Sequence, residues 1–185
     1  QLDVIFGLGN GRFRAPVSYT PTRHGTDIAV GDVNEDGMPD VVWSMVNGGA
    51  EIFLNSATGA SLRPGATVAD VSSTIELADI NRDGHLDLLE MQGSGDRRVR
   101  ARFGAGDGTF GASTQIALLD VPQRFEVADL DKNGYLDLIS YGSQGARAVV
   151  SIALGYASGF GPSTPALLGN FNTDERAMTL SDIDG

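Results

Sequence analysis

Apolar residues along this chain come in short runs, each bounded by Gly, Asn or Asp. Three runs lead into an acidic loop: Asp27-Ile-Ala-Val-Gly31, Ile75-Glu-Leu-Ala78 and Phe125-Glu-Val-Ala128. Three begin just beyond one: Val41-Val-Trp-Ser-Met45, Leu88-Leu-Glu-Met91 and Leu138-Ile-Ser-Tyr141. Further runs follow at Ala50-Glu-Ile-Phe-Leu54, Val99-Arg-Ala-Arg-Phe103 and Ala148-Val-Val-Ser-Ile-Ala153. These are strand lengths, and no stretch carries the period of an amphipathic helix. The pattern predicts an all-β chain.

The runs are organised by a repeat. The segment D-x-[DN]-x-[DN]-G-x-x-D occurs at Asp32 to Asp40, Asp79 to Asp87 and Asp129 to Asp137, with starts 47 and 50 residues apart. A fourth copy opens at Asp182-Ile-Asp184, 53 residues after Asp129. Gln1-Leu2-Asp3 reads as the tail of another, with Asp3 in the ninth position, and this predicts that Gln1 is not a natural start. A glycine-rich marker lies between the loops. Phe6-Gly-Leu-Gly-Asn-Gly-Arg-Phe13 matches Phe103-Gly-Ala-Gly-Asp-Gly-Thr-Phe110. Leu154 to Phe160 reads as a weaker copy, and Phe53 to Gly59, at the same phase, as one that has drifted further. Two markers in register over periods of about 50 residues predict four-stranded units, the signature of propeller blades.

Composition narrows the chemistry. Of 185 residues, 24 are acidic and 13 basic, a net charge of −11 with pI near 4.4. The acids are 18 Asp and only 6 Glu, alongside 25 Gly and a single Lys, Lys132. This is a turn-rich and metal-loop-rich composition rather than a helical one. The negative balance argues against nucleic acid and anionic membranes as partners, and for cations. No apolar run approaches the roughly 18 residues of a spanning helix. Cysteine is absent, which removes disulfides, thiolate catalysis and Cys-ligated zinc. No signal peptide is visible.

The acidic loop suits a hard divalent cation. Ca²⁺ takes six to eight oxygens, and alternate residues of a tight loop can supply them from positions one, three and five. Glycine at position six permits the sharp turn, and position nine adds a last Asp. Position seven offers a backbone carbonyl, so its side chain is free to vary: Met38, His85 or Tyr135. Each full copy carries three carboxylates and one Asn. Without a cation these repel at close range. Three Ca²⁺ would bring the net charge from −11 to about −5. Mg²⁺ fits less well, because it prefers few protein ligands and several waters. Plain turn formation by Asp, Asn and Gly is the alternative, and three in-phase copies weigh against it.

Asp79 to Glu90 also satisfies the EF-hand pattern. The matching twelfth residues elsewhere are Trp43 and Ser140, and strands rather than helices follow the loops. EF-hand and dockerin-like readings are therefore set aside.

Taken together, the acidic loops alternating with Phe-Gly-x-Gly-[Asn/Asp]-Gly-x-Phe resemble FG-GAP and VCBS-type repeats, the blades of the integrin-α-like β-propeller. The resemblance covers essentially the whole chain. It implies Ca²⁺ in the hairpin between the first two strands of each blade. Carried over residue by residue, the ligands are Asp32, Asn34, Asp36, Asp40 and the Met38 carbonyl. The second set is Asp79, Asn81, Asp83, Asp87 and the His85 carbonyl. The third is Asp129, Asp131, Asn133, Asp137 and the Tyr135 carbonyl. Asp182 and Asp184 begin a fourth, truncated site. Family propellers commonly have seven blades and this chain supplies about four, read as one propeller region. It comprises a partial blade over 1–31, repeats from 32, 79 and 129, and an incomplete one from 182. The first repeat is about ten residues short, which predicts a strand missing after Ile5 and a part of a larger ring. The remaining blades would come from elsewhere in a longer chain or from another subunit.

Other chemistry is sparse. His24 and His85 read as ordinary loop residues, and G-x-S-x-G and H-E-x-x-H are absent. Gly7-x-Gly9-x-Gly11 precedes a strand rather than a helix, so it is no nucleotide fingerprint. Arg97, Arg98, Arg100 and Arg102 form a basic cluster that suits an acidic ligand or pairs with local acids. Trp43, Tyr141 and Tyr156 could stack on sugars, although Trp43 reads better as core. The expected function is a non-catalytic, calcium-binding β-propeller module for binding or adhesion to an extracellular protein or glycan ligand, secreted or at the cell surface. The alternatives are a lectin on the same scaffold, or an accessory domain of a larger secreted enzyme or toxin.

Overall fold

The structure, a computed structural model, describes residues 1–56, 61–71, 73–91, 97–144 and 147–166. Every regular element among them is a strand. A two-stranded ribbon of β1 (Leu2–Val4) and β2 (Val17–Tyr19) comes first. A four-stranded antiparallel sheet follows in chain order: β3 (Gly25–Gly31), β4 (Asp40–Met45), β5 (Ala50–Asn55) and β6 (Leu62–Val68). The next repeats this order with β7 (Thr74–Ala78), β8 (Asp87–Met91), β9 (Arg98–Gly104) and β10 (Phe110–Ala117). The last has β11 (Val121–Ala128), β12 (Asp137–Gln144), β13 (Arg147–Ala153) and β16 (Thr164–Ala166). A small hairpin, β14 (Gly155–Tyr156) with β15 (Gly159–Phe160), sits between its third and fourth strands. Sequential antiparallel sheets of four strands are consistent with propeller blades.

The inner strands show why the apolar runs lack a clean alternation. β4, β5 and β8 are buried at every residue, because both faces of the sheet are covered. Alternate side chains then enter different cores. Val41, Trp43 and Met45 join Leu2, Phe6, Phe53 and Leu62 against the N-terminal ribbon. Val42, Ile52 and Leu54 point the other way and meet Val71 of the linker with Ile75 and Leu88 of the second sheet. Leu89, Met91, Val99 and Ile116 of the second sheet meet Phe125 and Leu138 of the third. Each sheet-to-sheet interface is thus its own core. Leu88 and Leu89, adjacent in sequence and both fully buried, serve two different ones. Each contributes about 2–3 kcal/mol of burial.

Register corrects three sequence readings. Leu2 pairs with Tyr19 and Val4 with Val17, and Gly7 bridges Phe13. Val99 with Ile116, Ala101 with Thr114 in the neighbouring rows, and Gly104 with Phe110 repeat that arrangement 97 residues later. The ribbon is therefore a third and fourth strand, and the repeat is not short of a strand after Ile5. Asp3 stands at the level of Arg100 rather than at a ninth loop position. Its Oδ1 accepts from Ser18 Oγ at 2.6 Å and Gln1 Nε2 at 2.8 Å, which lowers its pKa. In the first full sheet, Asn55 holds the place of Gly104, because both donate a backbone N–H to the ninth Asp of the loop. Leu54, not Phe53, therefore stands where Phe103 does. Phe53 faces the N-terminal ribbon instead.

Candidate metal centre

Three acidic loops join the first and second strands of the three four-stranded sheets. Their backbones are alike. Position four is left-handed although it is never glycine: φ is 57° at Glu35, 62° at Arg82 and 59° at Lys132. Position six is left-handed and always glycine, with φ of 84°, 91° and 89° at Gly37, Gly84 and Gly134.

The side chains lock this shape in the same way each time. The first Asp accepts the N–H of position six: Gly37 to Asp32 at 2.8 Å, Gly84 to Asp79 at 3.0 Å and Gly134 to Asp129 at 2.8 Å. The position-three oxygen accepts the N–H of position five: Asp36 to Asn34 at 3.1 Å, Asp83 to Asn81 at 2.9 Å and Asn133 to Asp131 at 3.1 Å. Position five in turn accepts the N–H of position seven, from Met38, His85 and Tyr135. These bonds bend the loop around its own oxygens.

The ninth Asp is different in kind. Asp40, Asp87 and Asp137 are fully buried. One oxygen of each accepts the N–H of loop position two, from Val33, Ile80 or Leu130, at 2.8–3.1 Å. The other accepts from Asn55 or Gly104 at the end of the third strand, or from Gly155 just past it, at 2.7–2.9 Å. These residues tie each loop to its sheet. Burial raises the pKa of Asp40 and Asp87, against the lowering effect of those same N–H donors. Exposed Asp83 moves the other way, lowered chiefly by the His85 N–H.

In the third loop, carboxylate oxygens of Asp129, Asp131 and Asp137 all lie within 4.8 Å of one another, a spacing that can hold a metal ion. Position three is Asn34 or Asn81 in the other loops, so their equivalent trio has two carboxylates and an amide oxygen. In the second loop, Asp79 Oδ1 is buried without a hydrogen-bond partner. An orphaned carboxylate oxygen at the first ligand position fits a hard cation. Carboxylates that already accept N–H donors keep further lone pairs for such an ion. Asp182 and Asp184 lie outside the described residues.

Glu90 is not a twelfth ligand. It is fully buried and pairs with Arg100 Nη2 at 3.3 Å and Arg102 Nε at 3.0 Å. The two guanidiniums continue to the linker between sheets, reaching the Asp70 carbonyl at 2.7 Å and the Ala69 carbonyl at 3.0 Å. Arg98 bonds Gln115 and Arg97 bonds the Leu119 carbonyl. Local pairing thus accounts for the basic cluster. Trp43 is core, with its Nε1 on the Arg23 carbonyl at 3.3 Å, whereas Tyr156 is exposed.

Sequence reading also missed contacts between loops. Glu35, at position four of the first loop, bonds His85 Nδ1, at position seven of the second. The bond raises the His85 pKa. Arg82, at position four of the second loop, stacks its guanidinium 5.1 Å from the ring centre of Tyr135, at position seven of the third. The position-seven side chains vary in type, yet two of them have assigned neighbours.

Residues 32–90 match the family model of the FG-GAP-like repeat. That family is generally a non-catalytic module. No curated protein matches the chain. Residues 32–90, from the first acidic loop into β8, are thus similar to an FG-GAP-like repeat, and the described residues around them form four-stranded antiparallel sheets without a helix.

Proposed function

We propose that the chain is a calcium-binding β-propeller module that presents its loops to an extracellular protein or ligand and performs no catalysis. The observation that carries this reading is the shared hydrogen-bond frame of the three loops, with the Asp129, Asp131 and Asp137 oxygens gathered in one of them. Asp32, Asn34, Asp36 and Asp40 would hold the first ion, Asp79, Asn81, Asp83 and Asp87 the second, and Asp129, Asp131, Asn133 and Asp137 the third. The carbonyls of Met38, His85 and Tyr135 would complete the sets. The ion supplies charge neutralisation and rigidity and takes no part in a reaction. Extracellular modules of this chemistry work at about 10⁻⁴–10⁻³ M Ca²⁺, which suits a secreted or cell-surface setting.

A groove of about 810 Å³ between the second sheet and the β14–β15 hairpin supports a lectin as the second reading. Phe103, Tyr156 and Phe160 offer aromatic surface there, with Gln115 and Ser158 as polar groups. Among the described residues, none of those lining the groove is charged, in a strongly acidic chain. An uncharged sugar matches that lining better than an ion does.

The test is to probe the immobilised chain with extracellular-matrix proteins and a glycan array, in Ca²⁺ and in chelator. The adhesion reading expects protein binding that chelator abolishes. Sugar binding weakened by Tyr156→Ala would select the lectin. Binding indifferent to chelator would overturn the calcium-dependent module.

A further inference from the structure

Position four of the first and second acidic loops stands among the proposed ligands, but its side chain leaves the loop. Glu35 crosses to the next blade and meets His85. Arg82 crosses likewise and lies over Tyr135. The two pairs share no chemistry, one being a hydrogen-bonded acid and imidazole, the other a cation on an aromatic face. They share a place in the repeat: position four of one loop to position seven of the next. Glycines keep the crossings open. A Cβ on Gly106 would fall 2.5 Å from His85 Nδ1 and 2.8 Å from Glu35 Oε1, and one on Gly134 would fall 2.8 Å from Arg82 Nη1. Gly106 belongs to the marker Phe103 to Phe110. The next marker glycine, Gly108, donates its N–H to Val33 in the first acidic loop at 2.8 Å. The marker of the second blade thus packs on the acidic loop of the first. Gly9, at the place of Gly106 in the first marker, has no atom within 4 Å of its Cβ site. No acidic loop precedes it among the described residues.

From this we propose that Glu35 and Arg82 are positioning residues. Each fixes the position-seven residue of the following loop, and with it the carbonyl that faces that loop's cation. The proposal rests on the calcium reading above and extends it: the second and third sites are each completed from the blade before. The left-handed backbone at position four, present at Glu35 and Arg82, is what turns the side chain outward across the gap.

Electrostatics and positioning predict opposite signs, which makes Arg82 a decisive probe. Removing a positive charge beside an anionic loop tightens cation binding by Coulomb's law. Removing a support loosens it. The probe is Tb³⁺, excited through Tyr135 in the third loop and displaced by Ca²⁺, on the whole chain as wild type, Arg82→Lys and Arg82→Gln. Emission from Trp43 confirms that each variant is folded. Arg82→Gln is expected to weaken the Tyr135-reported site about two- to fivefold, the factor a surface cation–π contact carries, while Arg82→Lys retains wild-type affinity. Unchanged or tighter binding by Arg82→Gln would overturn the proposal while leaving the calcium reading intact. A folded wild type that gives no Ca²⁺-displaceable Tb³⁺ signal would overturn both.

Discussion

Asp87 accepts the backbone N–H of Gly104 at 2.9 Å through one carboxylate oxygen and that of Ile80 at 3.0 Å through the other. It is fully buried, so both donors would be stranded without it. Asp40 and Asp137 make the same pair of bonds in their own sheets. The ninth residue of each loop is therefore structural before any cation is considered. Asp87→Ala is expected to destabilise the chelator-treated protein by about 3 kcal/mol, since each buried donor left unpaired costs about 1–3 kcal/mol. Asp83→Ala, at the exposed fifth position, should cost well under that in chelator. Denaturant unfolding of the two variants compares them, and equal losses would refute the division of roles.

Glu90 and its two arginines give a second prediction. Glu90→Ala leaves Arg100 and Arg102 against the Asp70 and Ala69 carbonyls with their buried counter-charge removed. The expected loss is about 3–5 kcal/mol. Cation affinity at the second loop should not change in Glu90→Gln, measured by calorimetry. A tenfold fall there would restore Glu90 as a ligand.

The third prediction concerns pH. Glu76 on β7 has its pKa pushed up to about 7, first by burial and then by Glu126 on the neighbouring first strand, β11. Its ordinary value is 4.5. The stability it contributes is therefore complete below pH 4.5 and is lost as pH rises through 7, a span of at most about 3 kcal/mol. Asp40 and Asp87, also raised by burial, act in the same direction. Chelator-treated protein should melt higher at pH 5 than at pH 8. Glu76→Gln should raise the pH 8 melting temperature and flatten the profile. A melting temperature that climbs from pH 5 to pH 8 in the wild type would contradict this.

Much of the fold was legible because the repeat is written in residues that have few substitutes. Glycine at position six reflects a left-handed turn, and Asp at position nine reflects two buried donors. Both survive in every full copy. Phase was harder to read where side chains vary. Phe53 looked like the marker Phe, yet backbone hydrogen bonding puts Leu54 in that place. Asp3 looked like a ninth residue because one Asp in an apolar setting resembles another, and only its pairing with Ser18 separates them. The loop-to-loop contacts were invisible for a different reason. They join residues 50 apart, Glu35 with His85, or 53 apart, Arg82 with Tyr135, through unlike chemistry that no motif records. Arg102 and Glu90 likewise meet only because β8 and β9 are adjacent.

The most direct test of the central claim is calorimetric titration of the metal-free, folded chain with Ca²⁺, with Mg²⁺ titrated in parallel and melting followed in both. The account predicts about three Ca²⁺ per chain with dissociation constants near 10⁻⁴–10⁻³ M, and a Ca²⁺-selective rise in melting temperature through binding to the folded state. A folded, metal-free chain that takes up no Ca²⁺ and melts identically with either ion would contradict it, and the acidic loops would then be turns alone.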